Sequence, residues 1–274
     1  MFADLTLYTL AFLAAAAFCA GLIDAIAGGG GLIQLPAMLI GLAKTETVVV
    51  LGTNKVPSIF GTAASALTYR RNIKVSSKLL VVMAVPAFIG SMGGASLASL
   101  IPTEVLKPLV VALLIAVLIY TWKRPQLGQI ESMRHSESKR LKISAVAALV
   151  IGFYDGIIGP GTGSFLILLL VAVMGFAFLS ASAIAKVVNV ATNGGAILVF
   201  GVNGEILWKI GLTLAIANVC GGLIGVRIAL RGGSGLVRKV FMGITAALIL
   251  KVAFDTFTAL RGGIKLLNLR ILNF

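Results

Sequence analysis

Long apolar stretches, each bounded by glycine, proline or charged residues, dominate this chain. They fall at about 7–27, 30–42, 47–69, 77–101 and 105–122, and again at about 143–158, 161–175, 179–200, 206–230 and 236–257. None alternates apolar with polar residues, as the strands of a membrane barrel do. Unbroken Leu, Ala and Val with small residues mixed in predict helices. A helix needs about 20 residues to cross the hydrocarbon of a bilayer. The second stretch of each set is shorter than that and starts at a glycine-rich break. Between the sets lies Lys123 to Lys142, too polar for hydrocarbon. The pattern divides the chain into a first transmembrane unit (1–122), a cytoplasmic linker (123–142) and a second unit with a C-terminal tail (143–274).

Composition settles the solvent. The 274 residues are 59% hydrophobic and only 12% charged, with a mean hydropathy of +1.07. Soluble domains carry about 25% charged residues. A chain this apolar needs lipid around it, and in lipid every backbone N–H and C=O must be bonded internally. The expected fold is therefore all-α, a polytopic integral membrane protein. The net charge of +14 does not point to nucleic acid, because the basic residues sit between apolar stretches and no basic face with interleaved aromatics occurs. Cys19 and Cys220 both lie within expected spans, where a disulfide is not expected. No Lys or Arg precedes the first stretch, which reads as a retained span and not as a signal peptide.

The two sets of stretches are repeats. Shifted by 131 positions, Gly21 falls on Gly152, Asp24 on Asp155, Gly28 on Gly159, Gly30 on Gly161, Lys55 on Lys186, Asn72 on Asn203, Gly90 on Gly221 and Gly94 on Gly225. Five stretches per half is an odd number, so the second copy should enter the membrane from the opposite side. Charge agrees. The loop at 70–78 carries Arg70, Arg71, Lys74 and Lys78, whereas its counterpart holds Glu205 and Lys209. The next pair is reversed: Glu104 and Lys107 in the first copy, Arg231, Arg238 and Lys239 in the second. Swapped basic content is what two inverted five-helix repeats require under the positive-inside rule, with both termini outside. The basic tail, with Arg261, Lys265 and Arg270, runs against that assignment.

The candidate chemistry lies at the breaks and just after them. In Asp24-Ala-Ile-Ala-Gly-Gly-Gly-Gly and Asp155-Gly-Ile-Ile-Gly-Pro-Gly-Thr-Gly-Ser neither a dinucleotide fingerprint nor a Walker loop is present. Clustered glycines inside a membrane uncoil the backbone where it can face a cavity. The short helix that follows offers free N–H groups and a positive dipole end. Gly29, Gly30 and Gly31 with Gly161, Thr162 and Gly163 are thus expected to meet an anion. The alternative is that the glycines only let helices approach closely.

Lys55 and Lys186 each lie roughly 8–10 residues into their stretch, about 12–15 Å at 1.5 Å per residue. That is near the centre of a hydrocarbon layer about 30 Å thick, where a lysine costs about 2.5–3.5 kcal/mol. Polar residues recur on the same helical face: Ser58 and Thr62 after Lys55, Asn189 and Asn193 after Lys186. The stripe reads as the wall of a substrate pathway, with Asn54, next to Lys55, and Asn218 as weaker candidates. The alternative is internal pairing, Lys55 with Asp24 and Lys186 with Asp155, for structure alone. Asp24 and Asp155 are candidates for proton coupling, because low dielectric disfavours a bare carboxylate. Each could instead accept hydrogen bonds from the uncoiled backbone. Pro57 and Pro86 are expected to kink their helices. The one histidine, His135, lies in the linker. No metal-ligand cluster, cofactor motif or Ser/His/Asp set is present, so an enzyme is not expected.

A first stretch ending Gly-Leu-Ile-Asp-Ala-Ile-Ala-Gly-Gly-Gly-Gly and then Leu-Gly-Thr-Asn-Lys, with a second half opening Gly-Phe-Tyr-Asp-Gly-Ile-Ile-Gly-Pro-Gly-Thr-Gly-Ser and later Ala-Lys-Val-Val-Asn, resembles the sulfite exporter TauE/SafE family over roughly 8–257. The resemblance implies a multi-pass protein of the bacterial cytoplasmic (inner) membrane that moves small sulfur-containing anions such as sulfite or organosulfonates, with Gly28 to Gly31, Lys55, Gly159 to Gly163 and Lys186 at the family's motif positions. It also implies a possible homodimer. The expected function is a secondary transporter in the export direction, working by alternating access around a cationic midplane site. An uncoupled anion channel or uniporter, or a membrane assembly subunit without transport activity, are the other readings.

Overall fold

The computed structural model describes residues 6–98, 123 and 128–271, with the side chains of the last helix described up to residue 247. Among the described residues all regular structure is helical. The fifth apolar stretch (105–122) and the loop with Glu104 and Lys107 lie outside them, as do the side chains of Arg261, Lys265 and Arg270. The chain divides into two compact units, one of residues 1–101 with 126–241, the other of 102–125 with 242–274. The first unit carries both glycine-rich breaks and both buried lysines, Lys55 and Lys186.

Helix α1 (Leu7–Ala27) is followed by a short α2 (Gly31–Gly41), then α3 (Thr47–Asn72) and α4 (Ser77–Leu97). Helix α5 (Glu137–Ile157) is followed by a short α6 (Thr162–Leu168), which continues as a π-helical segment, Leu169–Met174. Then come α7 (Phe178–Val202) and α8 (Trp208–Ile271). Both glycine-rich breaks are thus followed by short helices. α8 covers the last two apolar stretches and consists of two helices that meet at a kink at Gly233 (φ 62°, ψ −170°). α5 starts at Glu137, inside the segment that polarity assigned to the linker; its first turn simply extends past the apolar part. Pro57 and Pro86 stay inside continuous helices.

Among the described residues four helices are long and apolar enough to span a membrane: α1, α4, α7 and the 40-residue Trp208–Ala247 part of α8. α3, with 26 residues, and α5, with 21, are as long but carry more polar side chains. Outward-facing aliphatics such as Val81, Val85 and Ile89 recur every fourth residue along α4, the stripe that lipid would cover. Inward, Leu13, Met38, Val50, Val56, Phe200 and Leu214 form one buried cluster.

Glycine lets the helices touch at the backbone. A Cβ added at Gly90 or Gly94 of α4 would collide with the carbonyl oxygens of Leu149 or Phe153 on α5. One at Gly152 or Gly156 of α5 would meet those of Ala87 or Ser91. α1 lies equally close to α8, where Gly221 faces the Phe18 oxygen and Gly225 that of Leu22. Small residues four apart are the usual device for such approach in membranes. The face Gly90-Ser91-Met92-Gly93-Gly94 is therefore used within the protomer. Each half lends its first helix to the other: α1 packs on α8 and α5 on α4.

Candidate functional site

The breaks after α1 and α5 leave helix ends inside the apolar body, and each end must satisfy its last carbonyls. At the end of α1 Gly28, in the left-handed region (φ 77°), donates its N–H to Asp24 O at 2.8 Å. The next four oxygens find partners on other helices. Tyr69 Oη donates to Ala25 O (2.9 Å), Ser182 Oγ to Ile26 O (3.3 Å), Ser164 Oγ to Ala27 O (3.0 Å) and Ser164 N to Gly28 O (3.2 Å). At the end of α5 Lys55 Nζ donates to Asp155 O, Thr162 Oγ1 to Gly159 O (2.7 Å) and Tyr154 Oη to Pro160 O (2.6 Å).

The two breaks meet. A Cβ on Gly28 would strike the backbone of Gly163, and one on Gly163 would come within 2.6 Å of Gly28 Cα. Gly31 faces Pro160, 3.3 Å from its own would-be Cβ. Only residues without side chains fit at Gly28 and Gly163.

Lys55 and Lys186 each stand eight residues into their helix, past Thr47 of α3 and Phe178 of α7. Both are buried, 2% and 0% exposed. Each faces the carboxylate near the end of the other half's first helix, and Lys55 also reaches a main-chain oxygen there. Lys55 Nζ lies 3.1 Å from Asp155 Oδ2, and Lys186 Nζ lies 2.7 Å from Asp24 Oδ2. The pairs are therefore exchanged relative to the alternative read from the sequence, which joined Lys55 to Asp24 and Lys186 to Asp155. A cation at a helix C-terminus also complements the dipole there.

The pairs are not equivalent. Lys186 and Asp24 share an aligned hydrogen bond, and Thr62 Oγ1 approaches the same Asp24 oxygen at 3.5 Å. Asp155 Oδ1 lies 2.8 Å from Thr162 Oγ1, whose single hydroxyl proton it shares with Gly159 O. Asp155 Oδ2 lies 3.1 Å from Lys55 Nζ as an ion pair without an aligned hydrogen bond, and the ammonium also donates to the main-chain oxygen of Asp155.

A small cavity of about 40 Å³ lies where the breaks meet, room for a few waters or one compact anion. Its walls include Lys55, Asn54, Ser58, Asn189, Asn193, Asp24, Asp155, Gly30, Gly31, Gly161, Thr162 and Gly163. Two expected residues, Lys186 and Gly29, are not on the wall. Lys186 sits behind Asp24, which takes its place. Ala20, Gly28, Gly159, Thr62 and Asn218 complete the lining. One ammonium and two carboxylates thus face the cavity, and with Lys186 the four formal charges cancel. Asn189 Oδ1 is buried there without a hydrogen-bond partner.

Sequence reasoning missed Gln34 of α2. It is 1% exposed and bonds Asn54 on α3 and Asn218 on α8. A lone amide in Leu32-Ile33-Gln34-Leu35 was the available signal.

The family model Sulfite exporter TauE/SafE matches residues 13–252. The chain belongs to the TauE/SafE family. It is 39% identical over 259 residues to a probable membrane transporter protein, ORF9, of Sinorhizobium sp., covering 94% of this chain and 97% of that one. It is 33% identical to the probable membrane transporter protein YfcA of Escherichia coli K12, with 88% of each chain covered. A probable membrane transporter protein of Haemophilus influenzae is 32% identical, over 92% of this chain and 97% of its own. No solved structure matches significantly. This TauE/SafE chain is a multi-pass membrane protein of a family of membrane transporters, and the cavity between its two breaks lies well inside the matched residues.

Proposed function

We propose that the protein is a secondary transporter of small sulfur-containing anions, sulfite or organosulfonates, working in the export direction across the bacterial inner membrane. The observation that carries this reading is the buried Lys55 ammonium bordering the cavity. A compact oxyanion entering there would accept N–H groups from Lys55 and from the amides of Asn54, Asn189 and Asn193, while the Ser58 and Thr162 hydroxyls that border the cavity are already engaged within the protein. Glycine backbone at Gly30, Gly31, Gly161 and Gly163 lets the anion approach the chain closely, although Ser164 N is already engaged by Gly28 O.

The four buried charges sum to zero at rest, so an anion brings an excess of one negative charge into low dielectric. Protonation of one carboxylate removes it. Asp24 and Asp155, both on the wall of the cavity, are the candidates to take that proton. Proton and anion would then move together.

Alternating access follows from two inverted five-helix repeats, 1–122 and 143–274, rocking about the point where the breaks touch, with the linker on the cytoplasmic side. Each repeat contributes one break, one lysine and one aspartate, and the ion pairs bridge them. A homodimer would bury further apolar surface without adding to the site.

The test is uptake of labelled sulfite into proteoliposomes. Lys55→Ala should lower the initial rate at least tenfold while the protein stays monodisperse, and wild-type rates in that variant would end the reading. An uncoupled channel would show fluxes indifferent to an imposed pH gradient.

A further inference from the structure

Three side-chain amides form a chain from α8 through α2 to α3. Asn218 Nδ2 donates to Gln34 Oε1 at 2.6 Å. Gln34 Nε2 donates to Asn54 Oδ1 at 2.8 Å and to Asn54 O at 3.2 Å. A chain of amides could run either way, since exchanging oxygen and nitrogen in every member reverses each bond. Here one atom cannot be exchanged. The main-chain oxygen of Asn54 only accepts, so the end of Gln34 that faces it must be the NH2. The same NH2 meets the Asn54 side chain, which must therefore present its oxygen. Gln34 then shows its own oxygen to α8, and Asn218 must donate. At the far end the Asn218 oxygen lies against Gly61, where an added Cβ would collide with it.

Asn54 is left with its NH2 as the free end. That side chain is 4% exposed and borders the cavity, and no described residue accepts from its Nδ2. The positions 131 residues after Gln34 and Asn54 are Phe165 and Ala185, so the second half has no equivalent relay.

We propose that Gln34 is a positioning residue that fixes the polarity of the site: through it, Asn54 can offer the cavity only donors. For an oxyanion head group the Asn54 amide is then a fixed donor beside the Lys55 ammonium, in a cavity whose other walls carry the acceptors Asp24, Asp155 and Asn189 Oδ1. This inference rests on the transport reading and assigns a donor of the same site. Gln34 touches no substrate itself; it acts through Asn54, which is why it left no mark on the wall of the cavity.

The experiment is calorimetric titration of the purified full chain in nanodiscs with sulfite, and with methanesulfonate as the organic probe. Q34M, which removes both bonds and lets the Asn54 amide turn, should weaken sulfite binding about tenfold, the worth of roughly one well-placed hydrogen bond. N54A should weaken it at least as much. In the N54A background Q34M should cost nothing more, because its effect passes through Asn54. Wild-type affinity in a folded Q34M protein, or losses that multiply in the double variant, would overturn the proposal. Should Q34M fail to give monodisperse protein, Q34E takes its place; it keeps the volume but draws the Asn54 NH2 inward, and a larger loss is expected. Undiminished affinity there overturns the relay as well. A wild-type chain that binds neither probe counts against the transport reading and removes this inference with it. A wild type that binds while Gln34 variants bind equally well counts against the relay alone.

Discussion

Replacing Asp24 by asparagine strands the Lys186 ammonium, which has no exposed surface. At 2.7 Å and an effective dielectric constant of about 20, the attraction that is lost is about 6 kcal/mol. Withdrawing the two ions from water costs several kcal/mol each, so the intact pair is near break-even. Half a pair is not: removing one partner of a buried ion pair costs about 3–5 kcal/mol. With about 2–4 °C of midpoint per kcal/mol in a chain of this size, D24N and K186M should each melt about 6–20 °C below wild type. The double variant D24N/K186M leaves no orphan charge and should return to within about 5 °C. D155N/K186M takes one member from each pair and should be as unstable as the two single variants added together. The assay is a thermal melt of detergent-purified protein followed by intrinsic fluorescence. Recovery in D155N/K186M, with none in D24N/K186M, would mean that Lys186 pairs within its own half and would refute the crossed arrangement.

Gly28→Ala forces a side chain into the left-handed region, a strain of about 1–3 kcal/mol, and drives its methyl into the backbone of Gly163; membrane yield of this variant should collapse, and near-normal yield would mean that the breaks do not touch. Asp155→Asn should leave a transporter whose sulfite flux no longer responds to an imposed pH gradient, measured in the same proteoliposomes, while retained response would place the proton elsewhere.

Glycine clusters and intramembrane lysines are rare enough in apolar sequence to be seen without coordinates. Hence the short helices at Gly31–Gly41 and Thr162–Leu168, and the depth of Lys55 and Lys186, could be anticipated. Which aspartate meets which lysine could not. The partners lie 100 and 162 residues apart, and helical spacing speaks only to neighbours one or two turns away. Lys186 and Lys55 look alike in sequence, yet Asp24 screens the first from the cavity and the second lies open to it. The difference depends on how the two halves dock. Gln34 stayed hidden because a single amide produces no periodicity. The apolar stretch at 143–158 does not mark the start of α5, because hydropathy reports the preferred solvent of a segment, whereas the helical backbone reaches back through the polar residues Glu137 to Lys142.

Exchanged partners also impose an order on synthesis. Lys55 emerges 100 residues before Asp155, and Asp24 waits 162 residues for Lys186. At about 5–20 residues per second, the first lysine is without its carboxylate for about 5–20 s. Through that interval the nascent amine must stay hydrated or find shelter at the insertion machinery, so the first half cannot mature alone. Two separately expressed halves would be expected to vanish singly and to survive only when made together, each acting as the chaperone of the other's charge.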